Sequence, residues 1–324
     1  MLSRDTFKGI YGSFLTGLGD YTVDSRGDVG SWKREACLKA LHSLTIAVTR
    51  LEGDSGDDRY LEKDTVTLFV GKVMQQAVEK MDKIRGLAGE TFQDLLALLP
   101  TQPELIEERA TLAAAIPKDS RVNWSSPSET VPIFVSLLQL RQYTRPLLVG
   151  LIVSAGGLTE STVRATSSEL LKLLKNRQSL ESTSLTLESF AAHLAAVFEE
   201  NRQNSRVIFP AFATLDLLLS NDIFSSVNIE LMSRLLGLIE DEIRGCKDAK
   251  KLLGALPVLC GFLTFEEGVR LRALTSILAL LVSGFPKVRV ETAAQLYTAL
   301  LTLEDVVPTE SEDEVTALLT ETKW

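Results

Sequence analysis

Cysteine and histidine are scarce in this chain, which limits the metal, disulfide and acid–base chemistry that it can carry. Its 324 residues include three cysteines and two histidines. Cys37, Cys246 and Cys260 are widely spaced and form no CxxC pair, so neither a disulfide framework nor a zinc site is indicated. Free cysteines of this kind are typical of a reducing compartment. We therefore expect a cytoplasmic protein with no bound metal.

Aromatic residues and positive charge are also in short supply. Aromatic side chains make up 6% of the chain, although hydrophobic residues reach 45%. The core must then be mostly aliphatic, which suits helices packed on helices. The formal net charge is −9, which argues against a nucleic-acid binder. The one basic cluster, at residues 247, 250 and 251, is interrupted by Asp248 and indicates a solvated helix face.

Long hydrophobic runs are missing as well. The longest, at residues 146–158 and 252–265, are broken by Gly, Ser and Pro, and they are too short to span a bilayer. The first eight residues are polar and mixed in charge, which is not the pattern of a signal peptide. We expect no membrane contact.

The alternating pattern of strands is absent too, whereas helical periodicity runs throughout. A chain of 324 residues exceeds what one compact core usually supports, so it forms either two globular domains or an extended array. We predict an all-α fold. The expected helices lie at 3–18, 29–51, 61–80, 82–99, 103–115, 127–141, 143–156, 158–175, 186–202, 204–220, 228–245, 247–264, 267–284, 286–302 and 312–322.

An apolar residue beside an arginine recurs at the start of several of these helices. The arginines are Arg85, Arg164, Arg206 and Arg289, separated by 79, 42 and 83 residues. These spacings are multiples of roughly 40 residues, the period of HEAT and armadillo helix pairs. We therefore predict one HEAT/armadillo-like α-solenoid of stacked hairpins over residues 1–324, in which each of these arginines bridges neighbouring repeats. An acidic loop at 52–59 and a polar loop at 117–128 interrupt it.

The segment from Asp20 to Ala36 is a polar turn that leads into a helix. Asp28 is the expected N-cap, and Arg34, an unfavourable charge at a helix start, should have a carboxylate partner across the turn. Helical spacing places Trp32 on the apolar stripe. One interpretation is a structural turn between hairpins, to which Trp32 and Arg34 belong. The other is an exposed contact surface for a second protein, with these candidate contact residues: Asp20, Tyr21, Asp24, Arg26, Asp28 and, in the polar loop, Trp124.

No set of residues assembles an active site. The Gly53-Asp54-Ser55-Gly56 loop resembles that of a serine protease, but both histidines, His42 and His193, lie on apolar helices without an orienting acid. Asp20, Asp24 and Asp28 miss the spacing of a calcium-binding loop. We predict that the chain is not an enzyme and needs no cofactor.

Several segments together resemble the C-terminal region of the tubulin-folding cofactor D family. The most specific is the run from Asp20-Tyr21-Thr22 to Trp32-Lys33-Arg34. The resemblance extends over nearly the whole chain. Its other segments are Met81–Gly89, Gly150–Thr159, Asn204–Pro210, Phe285–Arg289 with Thr292-Ala293, and Leu318–Trp324.

This resemblance implies a protein-interaction module. Members of the family are longer HEAT-repeat scaffolds, so the chain should correspond to their last third. They bind β-tubulin, and with cofactors E and C they assemble or take apart the αβ-tubulin dimer and stimulate its GTP hydrolysis. They also bind an Arf-like small GTPase. The resemblance thus implies an acidic client and a cytoplasmic location near microtubules. A HEAT-type adaptor for an unrelated client is the alternative, and a hydrolase using the 53–58 loop is a third.

Overall fold

The computed structural model describes residues 3–52, 59–98, 103–118, 121–157, 159–176, 185–303 and 306–324. Within these ranges the chain forms fifteen α-helices, and its β-pairing consists of one isolated bridge between Asp24 and Gly27. Contacts divide the chain into two compact units, Met1–Leu185 and Thr186–Trp324. Of the helices within the described residues, none combines the length and the apolarity that crossing a bilayer requires.

The first unit is a stack of antiparallel hairpins. In it α3 packs against α4 and α7, α2 against α1 and α4, and α8 against α6 and α7. The interior is aliphatic, as the composition predicts, with aromatic contacts at a few places such as Phe92 against Phe134. Its helices are α1 (Arg4–Gly17), α2 (Gly30–Glu52), α3 (Lys63–Ala77), α4 (Asp82–Leu98), α5 (Arg109–Ala114), α6 (Pro127–Ser136), α7 (Arg141–Ala155) and α8 (Glu160–Lys175).

The second unit consists of two rows of helices. One row contains α9, α11 and α13, and the other contains α10, α12 and α14, so that each hairpin contributes one helix to each row. The last helix, α15, packs against α14. The helices are α9 (Leu187–Glu200), α10 (Ser205–Ser220), α11 (Ile229–Ile243), α12 (Ala249–Gly261), α13 (Glu267–Leu281), α14 (Pro286–Leu300) and α15 (Glu312–Glu321).

The prediction of an all-α fold of helical hairpins is confirmed, with local differences. The helix expected at 103–115 is a 3₁₀ turn, Pro103–Leu105, followed by α5, because Glu108 takes a left-handed φ of 54° between them. Ser126 precedes α6 but makes no side-chain cap bond, and Glu129 of the first turn accepts from the amide of Asn123 at 2.8 Å. Most of the predicted 52–59 loop, at 53–58, lies outside the described residues, and the single array over 1–324 stays a prediction.

Candidate protein-contact site

The turn between α1 and α2 has a tightly folded tip. The backbone N–H groups of Asp24 and Gly27 each donate to the other residue's carbonyl at 3.0 Å. Gly27 has a φ of 103°, a conformation that a residue with a Cβ adopts only with strain. The Asp24 carboxylate accepts from the backbone N–H of Arg26 at 2.7 Å and from its guanidinium at 2.6 and 3.0 Å, and these bonds lower the pKa of Asp24. The tip therefore holds Arg26 in a defined position.

Beneath the tip, Arg34 is fully buried and lies at the centre of a polar cluster. Its guanidinium donates to both carboxylate oxygens of Asp28 at 3.1 Å, to the carbonyl of Asp20 at 2.7 Å and to Oε1 of Gln76 at 3.1 Å. The Glu79 carboxylate is 3.9 Å from Nη2. The predicted carboxylate partner of Arg34 is thereby confirmed as Asp28, which also accepts from the amide of Ser31 in the first turn of α2.

The electrostatics of this cluster favour a permanently charged arginine. Burial alone would lower the pKa of Arg34, but the hydrogen bonds that it donates to Asp28 and the charge of Glu79 outweigh this effect and raise the pKa. The same burial raises the pKa of Tyr21 to about 12. Hydrogen bonds from the hydroxyl and the amide of Thr22, with one from Lys33, lower the pKa of Asp20 to about 2.

Tyr21 serves the same buried cluster. Its ring lies 4.5 Å beneath the guanidinium of Arg34, and its hydroxyl accepts from the side chains of Gln75 at 2.8 Å and Gln76 at 3.2 Å. These contacts join the turn to the C-terminal end of α3. Of the predicted contact residues, Tyr21 and Asp28 therefore have structural partners.

The prediction that Trp32 lies on the apolar stripe is wrong. Its side chain is 63% exposed, and Val23 beside the turn is 56% exposed. The buried face of α2 is rotated away from Trp32. The reason is that Arg34 occupies an interior position, where apolar periodicity predicts no charged residue. The buried face consists of Ser31, Arg34, Cys37, Leu38, Leu41 and Thr45.

Arg26 and Trp32, together with the exposed Val23 of the same turn, make up what we call the tip patch. The Arg26 guanidinium lies 5.4 Å from the centre of the Trp32 ring, within the range of a cation–π contact. Trp and Arg are the residues most enriched among energetically dominant interface positions. The sequence interpretation missed Val23, although an apolar residue within a polar turn is a signal of exposure.

Trp124 was predicted to be a contact residue, and its burial contradicts that prediction. The indole packs against α4 at Gly89, where an added Cβ would lie 2.5 Å from ring atom Cδ2. Its Nε1 donates to Gln93 at 2.9 Å, and the ring contacts Phe134 of α6. A large ring fits there because the facing residue is glycine, a match between distant positions that local periodicity does not reveal.

Of the repeated arginines, Arg85 reaches a second segment of its unit, whereas Arg289 donates within its own hairpin and its bridging role stays a prediction. Arg85 is fully buried and donates to the carbonyl of Glu79 at 2.8 Å and to the carbonyl of Ser125. Arg289 donates to the carbonyl of Ser283 at 2.8 Å, which likewise lies six residues earlier in the chain.

Arg164 and Arg206 differ from this pair. Arg164 is exposed and pairs with Glu160 of its own helix at 2.5 Å, so its prediction as a bridge is wrong. Arg206 is half-buried at the start of α10, and its bridging role stays a prediction. Among the described residues, no group of three or more potential ligands is placed to hold a metal ion.

Comparison with known proteins agrees with the sequence resemblance. Residues 67–251 match a family model described as "Tubulin folding cofactor D C terminal". The chain is 27% identical over 335 residues to "Tubulin-specific chaperone D" of Dictyostelium discoideum, covering 94% of this chain and 22% of that protein. It is 24% identical over 307 residues to "Tubulin-folding cofactor D" of Schizosaccharomyces pombe, covering 92% of this chain and 27% of that protein. No solved structure matches. The chain thus spans about a quarter of the length of these relatives.

Proposed function

The chain belongs to the tubulin folding cofactor D C-terminal family, as its resemblance predicted, and on that premise we propose that it binds tubulin through the tip patch. The observation that carries this proposal is an exposed Trp and Val beside an arginine that its own turn holds in place. Side chains fixed before binding lose little conformational entropy on association. The buried Arg34 cluster provides a firm support beneath them.

The finer parts of the proposal rest on the resemblance and on the relatives' names. The client is β-tubulin or the αβ-tubulin dimer, and the chain acts together with cofactors E and C and an Arf-like small GTPase. In that assembly it contributes to tubulin GTP hydrolysis as a binding partner and not as an enzyme. The setting is the cytoplasm and the microtubule cytoskeleton. Asp24, beside the patch, is proposed to position Arg26, and Asp20 to hold the base of the turn.

We expect Trp32→Ala to weaken binding of purified αβ-tubulin by about 30-fold, the effect of losing a dominant interface residue. Arg26→Ala should weaken it roughly tenfold. The measurement is a binding isotherm on the full chain. Leu68→Ala and Arg164→Ala are matched controls, because both side chains are exposed in the same unit and lie on other helices, α3 and α8.

Two outcomes would contradict this proposal. Equal losses in the controls and the tip variants would mean that binding does not depend on the tip patch. If wild-type chain that is fully folded binds no tubulin at all, the function of this segment is that of an adaptor for a different client.

Salt should affect this binding little. The chain carries −9 and the resemblance implies an acidic client, so long-range attraction cannot drive the encounter. Raising the salt concentration screens repulsion between like charges, so the affinity should stay constant or increase. Isotherms at several salt concentrations test this. A steep loss of affinity with salt would indicate a basic partner.

A further inference from the structure

In the second unit, α11 and α13 are each joined by an arginine to the preceding helix of the α9–α11–α13 row. Arg234 of α11 donates to Glu199 of α9 at 2.7 Å. Arg272 of α13 donates in the same way to Glu240 of α11 at 2.5 Å and to the hydroxyl of Ser233 at 2.6 Å. The row therefore has a direction: α11 and α13 each reach back to the helix before them, and α11 offers a second face to the helix that follows it.

On α11 that second face is identified by its contacts with α13. Ser233 and Glu240 accept from Arg272. Between them lies Gly237, where an added Cβ would be 3.4 Å from the same guanidinium. Ser233, Gly237 and Glu240 follow one another at helical spacing and form what we call the receiving face of α11.

The receiving face of α13 follows from the register of the two helices. Arg234 and Arg272 are 38 residues apart, as are the first residues of α11 and α13. Adding the same offset to the receiving face of α11 gives the equivalent positions of α13, which are Leu271, Thr275 and Leu278.

This face of α13 is apolar and exposed. Leu271, Leu278 and Val282, which follows the helix, are 62%, 48% and 81% exposed, and with Thr275 they form one stripe about 16 Å long. In the neighbouring row the last helix, α14, is packed against α15. An exposed apolar stripe of this kind indicates a surface that another element covers, and on the equivalent face of α11 that element is the helix α13.

We infer that the receiving face of α13 binds one amphipathic α-helix of a partner protein, which continues the α9–α11–α13 row. Position 278 of α13 indicates which kind of residue the partner helix should place against it. Where α11 offers the carboxylate of Glu240 to an arginine, α13 offers the side chain of Leu278. The incoming helix should therefore present a leucine-like residue at the position where α13 itself presents Arg272. This inference concerns Thr186–Trp324 and is independent of the tip patch, so each can fail alone.

The test uses two labelled 21-residue helical peptides and the full chain. The first carries leucines at i, i+4, i+7 and i+11 on a Glu/Lys/Ala background, and the second has Arg in place of the third leucine. Fluorescence anisotropy should show saturable binding of the leucine peptide and at least tenfold weaker binding of the arginine peptide. Leu278→Glu should reverse this order, because it recreates on α13 the acceptor that Glu240 provides on α11.

The controls distinguish peptide binding at this face from nonspecific hydrophobic binding and from the effects of misfolding. Leu318→Glu alters an exposed leucine of α15 and should leave both affinities unchanged, and a scrambled leucine peptide should not bind. If Leu278→Glu does not fold, Leu278→Ser should still weaken the leucine peptide several-fold.

Three results would overturn the inference. One is peptide binding that Leu278→Glu leaves unchanged. Another is no saturable binding of the leucine peptide. The third is a dimer of the wild-type chain in sedimentation equilibrium that Leu278→Glu abolishes, because the covering element would then be a second copy of this chain.

Discussion

Replacing Arg34 by Ala is expected to lower the melting temperature of the Met1–Leu185 unit by roughly 10 °C. The substitution leaves the carboxylate of Asp28 buried without its guanidinium partner and removes the positive charge beside Glu79. Breaking a buried ion pair in this way costs about 3–5 kcal/mol. In a unit of this size each kcal/mol corresponds to about 2–4 °C. Differential scanning calorimetry on the full chain measures the shift.

Arg26→Ala is the matched control, because Arg26 also pairs with an aspartate but in solvent. Exposed ion pairs contribute little to stability, so this variant should melt within about 2 °C of the wild type. Arg34→Lys should recover only part of the loss, since an ammonium cannot reproduce the forked donation to Asp28. An Arg34→Ala protein that melts like the wild type would show that the cluster does not stabilise the fold.

The second large effect contrasts two tryptophans of the same unit. Trp124→Ala should destabilise the unit by about 3–5 kcal/mol, because it leaves a cavity between α4 and α6 and removes the donor to Gln93. Trp32→Ala removes an exposed ring and should change the free energy of unfolding by less than about 0.5 kcal/mol. Denaturant unfolding followed by circular dichroism at 222 nm compares the two without relying on tryptophan fluorescence.

Gly89→Ala provides an independent check on the same packing. A methyl group at this position would lie against the indole, and overpacking of this kind costs about 1–3 kcal/mol. Equal stability of the Trp124→Ala and Trp32→Ala proteins would contradict the placement of both rings.

The helices and their pairing could be predicted because they depend on local spacing. Apolar residues at a 3.6-residue period identify a helix without knowledge of its neighbours, and a period of about 40 residues identifies hairpins. Helix ends were less predictable, since a single residue such as Glu108 in a left-handed conformation divides a segment that is otherwise regular.

The sequence singled out this segment as a candidate site, but it could not show which of its residues are buried and which are exposed. The Asp/Gly-rich segment was predicted to be a polar turn leading into a helix, and the structure has that turn between α1 and α2. Which of Trp32 and Arg34 is buried depends on Gln76 and Glu79, more than 40 residues further along. A charged residue enters a core only where distant partners are available, and periodicity carries no information about them.

The same reasoning explains why the pattern of an apolar residue followed by arginine corresponds to two different sets of contacts. Arg85 and Arg164 both follow an apolar residue near a helix start. Arg85 can reach the carbonyls of Glu79 and Ser125, whereas the nearest acceptor of Arg164 is one turn back on its own helix. The outcome depends on what the neighbouring hairpin brings close, which the dipeptide does not encode.

The Arg34 cluster also has a consequence for the order of folding. Its acceptors come from Asp20 and Asp28 near the first hairpin and from Gln76 on α3. A guanidinium cannot leave water before its partners are in place, so the α1–α2 hairpin must keep Arg34 hydrated until α3 docks. Native packing of the first hairpin is then completed by the second, which makes their assembly one cooperative step and disfavours pairings in a wrong register.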